Sequence, residues 1–125
     1  TNGISPRCFF VATNIEVGER TFINYNCFFD NSAKITIGKD VFIAPEVSFT
    51  TASHEIGEQS RRASKFIGES ISIEDGCWIG ARAIILPGVT IKKGCIIAAG
   101  ALVLKDCEPN GVYAGVPAKR IKDLP

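Results

Sequence analysis

An isoleucine returns every six residues at Ile73, Ile79, Ile85, Ile91 and Ile97, and Val103 closes the series. A period of six fits neither a lone amphipathic helix, whose apolar stripe recurs at about 3.6, nor an alternating strand, which recurs at about 2. It marks an internal repeat, and a repeat decides the architecture before any local propensity does. Four residues after each anchor stands a small side chain: Cys77, Ala83, Val89, Cys95, Ala101 and Cys107. Upstream, Ile37, Ile43 and Phe49 are followed at the same offset by Val41, Val47 and Ser53. An earlier series, Val11, Val17, Ile23 and Phe29, carries Ile15, Thr21, Cys27 and Ala33 in the small position. The two series are out of phase by two residues, which predicts a short insertion near Lys34 to Thr36.

Within each unit the alternation of a strand survives only over a short run, as at Ile71 and Ile73, so each unit reads as one short strand and a turn. Large residues at one inward position and small ones at another suit an all-β prism with three flat parallel sheets. Three units then make one coil of about 18 residues, the large residue filling the axis and the small one lying where walls meet.

The length of 125 residues and the hydrophobic content of 46% predict one domain spanning 1–125. Within it residues 1–10 read as a cap, 54–66 as an excursion and 108–125 as a tail. No run of about 18 apolar residues suggests membrane insertion, and no charged-apolar-cleavage pattern opens the chain, so the cytoplasm is the expected location. A net charge of +1 argues against general nucleic-acid binding, while Lys119, Arg120 and Lys122 concentrate positive charge near the C-terminus. That cluster reads either as a local anion site or as a solvated basic tail.

Four of the five cysteines, Cys27, Cys77, Cys95 and Cys107, occupy the small inward slot, where a thiol behaves as a compact hydrophobe. Cys77 and Cys95 lie one coil apart, which leaves an oxidised pair open, although no CxxC supports one. Cys8 falls outside the pattern.

The repeat fails after Phe49. Where anchors are due stand Glu55 and Arg61, poor occupants of a dry core, so the chain is expected to leave the coil from about His54 to Phe66. Polar loops on a rigid scaffold are where function concentrates. The only histidine of the chain, His54, stands at the root of this loop in Thr50-Thr51-Ala52-Ser53-His54-Glu55. A lone histidine is more often a surface or structural residue than a catalyst. Its placement where the anchors stop favours the catalytic reading, because imidazole is the side chain best suited to taking a proton at neutral pH.

Thr50 to His54, Ile37-Gly38, Trp78-Ile79-Gly80, Leu86-Pro87-Gly88-Val89, Lys105-Asp106 and Gly115-Val116-Pro117-Ala118-Lys119 together resemble the hexapeptide-repeat acyltransferases, in particular the galactoside, maltose and related sugar O-acetyltransferases. The resemblance runs from about Asn14 to Leu124. It implies a left-handed β-helix, a handedness that the pattern alone does not encode. It further implies acetyl-CoA as co-substrate, no metal, and His54 as the general base that lets an acceptor hydroxyl attack the thioester directly.

By the same resemblance the backbone N–H of Ala81 meets the oxyanion. Asn24 contacts the acceptor, although a corner turn is its plainer role. Asp30 is the nearest match to the family's acidic acceptor contact, with Asn31 and Ser32 following as alternatives. Trp78 flanks the thioester arm or covers an intersubunit surface, Ala99 serves the pantetheine amides through its backbone, and Lys105, Lys119 and Lys122 lie near the phosphates. A homotrimer is implied, with outward Phe22, Phe28 and Phe42 burying its contacts. The helical N-terminal segment of the sugar acetyltransferases has no counterpart in these 125 residues, and Pro6 to Phe10 is expected to cover the first coil.

The acceptor is thus expected to be a sugar or glycan hydroxyl, with an amine, a serine or an antibiotic as alternatives of the same chemistry. A non-catalytic trimeric scaffold is the competing class, which a failure to bind CoA esters would favour. A zinc hydratase on the same helix would need three histidines around the metal, and the chain supplies one.

Overall fold

The computed structural model describes residues 2–125 and forms a parallel β-helix of short strands. The first coil holds β1 (Gly3–Ile4), β2 (Phe9–Phe10) and β3 (Ile15–Val17); the second holds β4 (Phe22–Ile23), β5 (Phe28–Asp30) and β6 (Ile35–Ile37). The third begins with β7 (Phe42–Ile43) and β8 (Ser48–Thr50), leaves as a hairpin of β9 (Ala52–Ile56) and β10 (Ala63–Gly68), and returns at β11 (Ile71–Ile73). β12 (Trp78–Ile79), β13 (Ile84–Ile85) and β14 (Thr90–Ile91) make the fourth, and β15 (Ile96–Ile97) and β16 (Leu102–Val103) the fifth. The chain closes with β17 (Gly111–Ala114) and an antiparallel β18 (Lys119–Asp123).

Three walls result. The first stacks β1-β4-β7-β12-β15-β17-β18, the second β2-β5-β8-β13-β16 and the third β3-β6-β11-β14. In the regular part Trp78 pairs with Ile96 and Ile84 with Leu102, an 18-residue step, whereas Phe22 pairs with Phe42 at a 20-residue step.

The anchors form the axis. Ile23, Ile43, Ile79, Ile85, Ile91, Ile97, Phe29 and Phe49 are fully buried, and Phe10, Phe29 and Phe49 stack with ring centroids 4.7 and 4.8 Å apart. Burial of this apolar column supplies the main driving force, since strands of two or three residues have little independent stability.

Several expectations need correction in the early coils. The two extra residues lie at 31–34, just ahead of β6, rather than across Lys34 to Thr36. They bulge at the corner between second and third walls, where the buried Asn31 side chain fastens Ala12 from both sides: Ala12 N–H donates to Oδ1 and Nδ2 donates to the Ala12 carbonyl, each at 2.8 Å. Val11 is not an anchor; it is 49% exposed, and Phe10 takes the inward position over Phe29. On the third wall the slot expected to be small is filled by Ile15, Ile35 and Ile71, and Ser53 sits in the hairpin instead of the core. Residues 3–10 are the first two strands of the coil and pair with β4 and β5, rather than lying across it as a cap. The excursion is longer than 54–66, running as paired strands from Ala52 to Gly68, and much of the tail after 108 continues the first wall.

Cys8 also obeys the repeat. Its neighbour Phe9 pairs with Phe28, which sets Cys8 beneath Cys27, and its thiol donates to the Asn24 carbonyl at 3.1 Å. All five cysteines are free, Cys77 and Cys95 included.

Burial pushes the thiols of Cys77 and Cys107 up to about 12 and that of Cys27 up to about 11. Because the unfolded chain releases these protons near pH 9.0 and the folded chain holds them, stability is fully present below that pH and falls as pH rises towards 11–12. Urea midpoints compared at pH 8 and pH 10.5 are expected to drop at the higher value. Thiol-reagent labelling at pH 8 should likewise spare these three residues until the protein unfolds; rapid labelling of all five in the native state would contradict their burial.

The outer faces differ from wall to wall. Phe22, Phe42, Trp78 and Ile96 line the first, and Phe9, Phe28, Ile84 and Leu102 the second with Ser48 between them, whereas Glu16, Thr36, Ser72 and Thr90 make the third polar. Two apolar walls therefore meet along one edge of the prism.

Candidate active site

That edge and the next carry the candidate residues. At the corner of second and third walls, Asp30 ends β5 and pairs with Thr50, from which the hairpin departs. Thr51 fastens the root: it is buried, its hydroxyl donates to the Asp30 carbonyl at 2.9 Å and accepts from Ala33 N–H at 2.9 Å. His54 follows on β9, exposed and opposite Phe66.

The imidazole is held from two sides. Its Nδ1 lies 3.2 Å from the Ser64 carbonyl, and the Phe66 ring meets it edge-on with centroids 6.0 Å apart. A carbonyl only accepts, so Nδ1 carries the proton and Nε2 keeps a free lone pair. The carbonyl reaches this place because the hairpin register shifts between Ala63 and Phe66, and the Ser64 hydroxyl pins the shift by donating to the Glu55 carbonyl at 2.9 Å. These partners escaped the sequence reading, since a main-chain acceptor leaves no side-chain signature.

Of the three acidic-site alternatives, Asn31 is turned inward to Ala12. Asp30 and Ser32 act as a pair: the Ser32 hydroxyl donates to Asp30 Oδ1 at 2.7 Å, and its N–H does so at 3.3 Å. Asp30, Ser32 and the root of the His54 hairpin thus share one corner.

Asn24 lies elsewhere, at the corner of first and second walls, where its Oδ1 accepts Tyr25 N–H at 3.0 Å. Ala81 and Ala99 occupy the same edge on successive coils, the Ala81 carbonyl accepting Gly100 N–H at 2.8 Å. Gly80 permits this close stacking, because a Cβ there would press into the backbone of Ala98 and Ala99. Trp78 projects from the neighbouring first wall, half exposed between Phe42 and Ile96.

Lys105 and Lys119 come together with Leu104, Pro117 and Ala118 around a cavity of about 320 Å³. The 115–118 turn is seated on β16, with Leu102 N–H donating to the Gly115 carbonyl at 3.0 Å and Ala118 N–H to the Leu102 carbonyl at 2.9 Å. Lys122 lies on β18, the same strand as Lys119. The candidate residues of one chain therefore do not share one place: His54 with Asp30 lies on one edge, Asn24 with Ala81 and Ala99 on another, and Lys105 with Lys119 around the cavity.

Residues 70–105 match the bacterial transferase hexapeptide (six repeats) family. A hexapeptide-repeat acetyltransferase from Vibrio cholerae superposes with a TM-score of 0.93 at 36% identity, over 99% of this chain and 71% of that one. The chain belongs to the hexapeptide-repeat acetyltransferase family. The same Vibrio protein has been solved with acetyl coenzyme A. A maltose O-acetyltransferase from Clostridium difficile 630 superposes at 0.94 with 39% identity, over 100% of this chain and 67% of that one. Galactoside O-acetyltransferase of Escherichia coli is 35% identical over 119 residues, 95% of this chain and 59% of that protein. The chain spans less than two thirds of the length of the curated relatives. As a family member it keeps the strict six-residue period where the match lies and departs from it where the candidate base stands.

Proposed function

We propose that the chain is the catalytic β-helix of an acetyl-CoA-dependent O-acetyltransferase acting on a hydroxyl of a sugar or glycan. The observation that carries this reading is His54, whose Nδ1 is tied to the Ser64 carbonyl so that Nε2 is the acceptor on an exposed hairpin. Nε2 takes the proton of the acceptor hydroxyl as its oxygen attacks the thioester carbonyl. Ala81 N–H meets the charge that develops on the carbonyl oxygen. The C–S bond then breaks, and the imidazolium returns its proton to the departing thiolate, which leaves as the free thiol.

Since His54 and Ala81 lie on different edges of the prism, the reaction needs two chains. Two apolar walls and one polar wall favour contact of the first wall of one copy with the second wall of the next, an arrangement that closes into a ring. A homotrimer is the assembly we assign. Asp30 with Ser32 would then hold the acceptor beside His54, and the neighbour's Asn24 would contact it from across the interface. Trp78, Ala81 and Ala99 would line the pantetheine path, with Lys105, Lys119 and Lys122 at the phosphates. Five free thiols suit a reducing compartment, and the cytoplasm is the location we assign.

Calorimetric titration with acetyl-CoA and with its analogue lacking the 3′-phosphate tests this reading. Saturable binding at about one site per chain, weakened about tenfold or more by loss of the phosphate, is the expected result. A folded assembly that binds neither compound overturns it.

A further inference from the structure

Lys119 and Lys122 are three residues apart on one strand, and in a regular strand such residues point to opposite faces. In β18 they do not. Lys119 pairs with Ala114, Arg120 with Tyr113, and Lys122 with Val112, so Ile121 has no partner and forms a bulge. Val112 continues the outer ladder of Ile96 and Trp78, whereas Tyr113 lies above Ile97 and is buried. The bulge therefore brings Lys119 and Lys122 to the outer face together, while Arg120 turns in over the end of the prism.

What holds the bulge is the Arg120 guanidinium. Nη1 donates to the Glu108 carbonyl and to the Tyr113 hydroxyl, each at 3.1 Å; Nη2 donates to the carbonyls of Pro109 and Asn110, each at 3.1 Å; Nε donates to Asp123 Oδ1 at 2.7 Å. The same group lies 5.6 Å from the centroid of the Tyr113 ring. Tyr113 in turn accepts Glu108 N–H on its hydroxyl oxygen at 2.8 Å. Gly111 leaves the room, since a Cβ there would run into the guanidinium. One planar cation thus ties the 108–110 turn, β17 and both flanks of the bulge.

We infer that Arg120 is a positioning residue for the anion end of the cofactor site: by clamping β18 around the Ile121 bulge it sets Lys119 and Lys122 on one face, with Lys119 beside Lys105 on the cavity wall. The inference rests on the reading that these lysines hold the phosphates of acetyl-CoA. Arg120 itself is not among the residues that line that cavity and acts through its neighbours.

The test compares wild type with Arg120→Gln, with Arg120→Lys, and with Lys119→Ala/Lys122→Ala, each checked for folding by its thermal melt. Arg120→Gln is expected to raise KM for acetyl-CoA about tenfold, to leave kcat at saturation within about twofold, and to erase most of the preference for the 3′-phosphorylated cofactor. Arg120→Lys, which lacks the planar fork, should restore little of that preference. A lower melting temperature with an unchanged phosphate preference would leave Arg120 as an end cap only and overturn the inference. Failure of the underlying reading looks different: the double lysine variant would bind acetyl-CoA like wild type, or wild type would not bind it at all.

Discussion

Replacing His54 by alanine lowers turnover about 10²–10⁴-fold while the protein melts at an unchanged temperature. The size follows from the role: with no base on the hairpin, the acceptor hydroxyl has to attack while still carrying its proton. Folding is spared because the ring is exposed and its ties are one hydrogen bond and one edge contact, with Ser64 and Phe66. A variant that keeps near-wild-type turnover removes His54 from the chemistry. Mixing experiments extend the result. His54 and Asn24 stand on different edges, so an interface that draws His54 from one chain takes Asn24 and Ala81 from the next. Refolding His54→Ala together with Asn24→Ala should recover activity that neither variant has alone. No recovery from a well-formed mixed assembly would mean that the two residues do not share a site across chains.

Phe29→Ala is expected to be the most damaging single truncation of the core. The ring is fully buried and stacked between Phe10 and Phe49, nearly parallel to each. Removing it costs about 3–5 kcal/mol for lost burial and the cavity left behind, and each stacked pair adds about 0.5–1.5 kcal/mol. Against a typical domain stability of about 5–15 kcal/mol that is enough to leave much of the chain unfolded at ambient temperature. Phe28→Ala, one residue away, should behave in the opposite manner. Its ring is 40% exposed on the outer face of the second wall, so in the proposed homotrimer the change is expected to weaken contact between copies more than the fold of one chain. Urea unfolding and sedimentation of the two variants separate these effects. A loss below about 1 kcal/mol for Phe29→Ala would contradict its place in the column.

The legible part of the chain was the part with a constant period. From Ile71 to Val103 the coils repeat at 18 residues, and anchors and small residues fall where the spacing puts them; the step shortens to 16 where Ile96 pairs with Val112. Earlier coils were misread locally because their corners carry one or two extra residues. An extra residue at a corner shifts the phase of everything before it, so Val11 took the place of Phe10 and Cys8 seemed to stand outside. Nothing in the residue types at 9–11 distinguishes the alternatives; the pairing of β2 with β5 does.

His54 was legible as a candidate for a different reason: it is the sole imidazole, and it stands where charged residues replace anchors. Its protonation geometry was not, because the Ser64 carbonyl that orients it is main chain and is aimed by a register shift between two strands. Lys119 and Lys122 were visible as a basic cluster, but their common face depends on a bulge that strand spacing argues against. The sequence alone determined that this chain coils in units of six with an apolar axis, because a periodic pattern of burial has only one architecture that satisfies it. Tertiary structure alone decided which corners absorb the extra residues, which way the hairpin presents its imidazole, and which residues lie on separate edges. Those outcomes depend on hydrogen bonds and contacts between segments up to a coil or more apart, and no local stretch of sequence contains both partners.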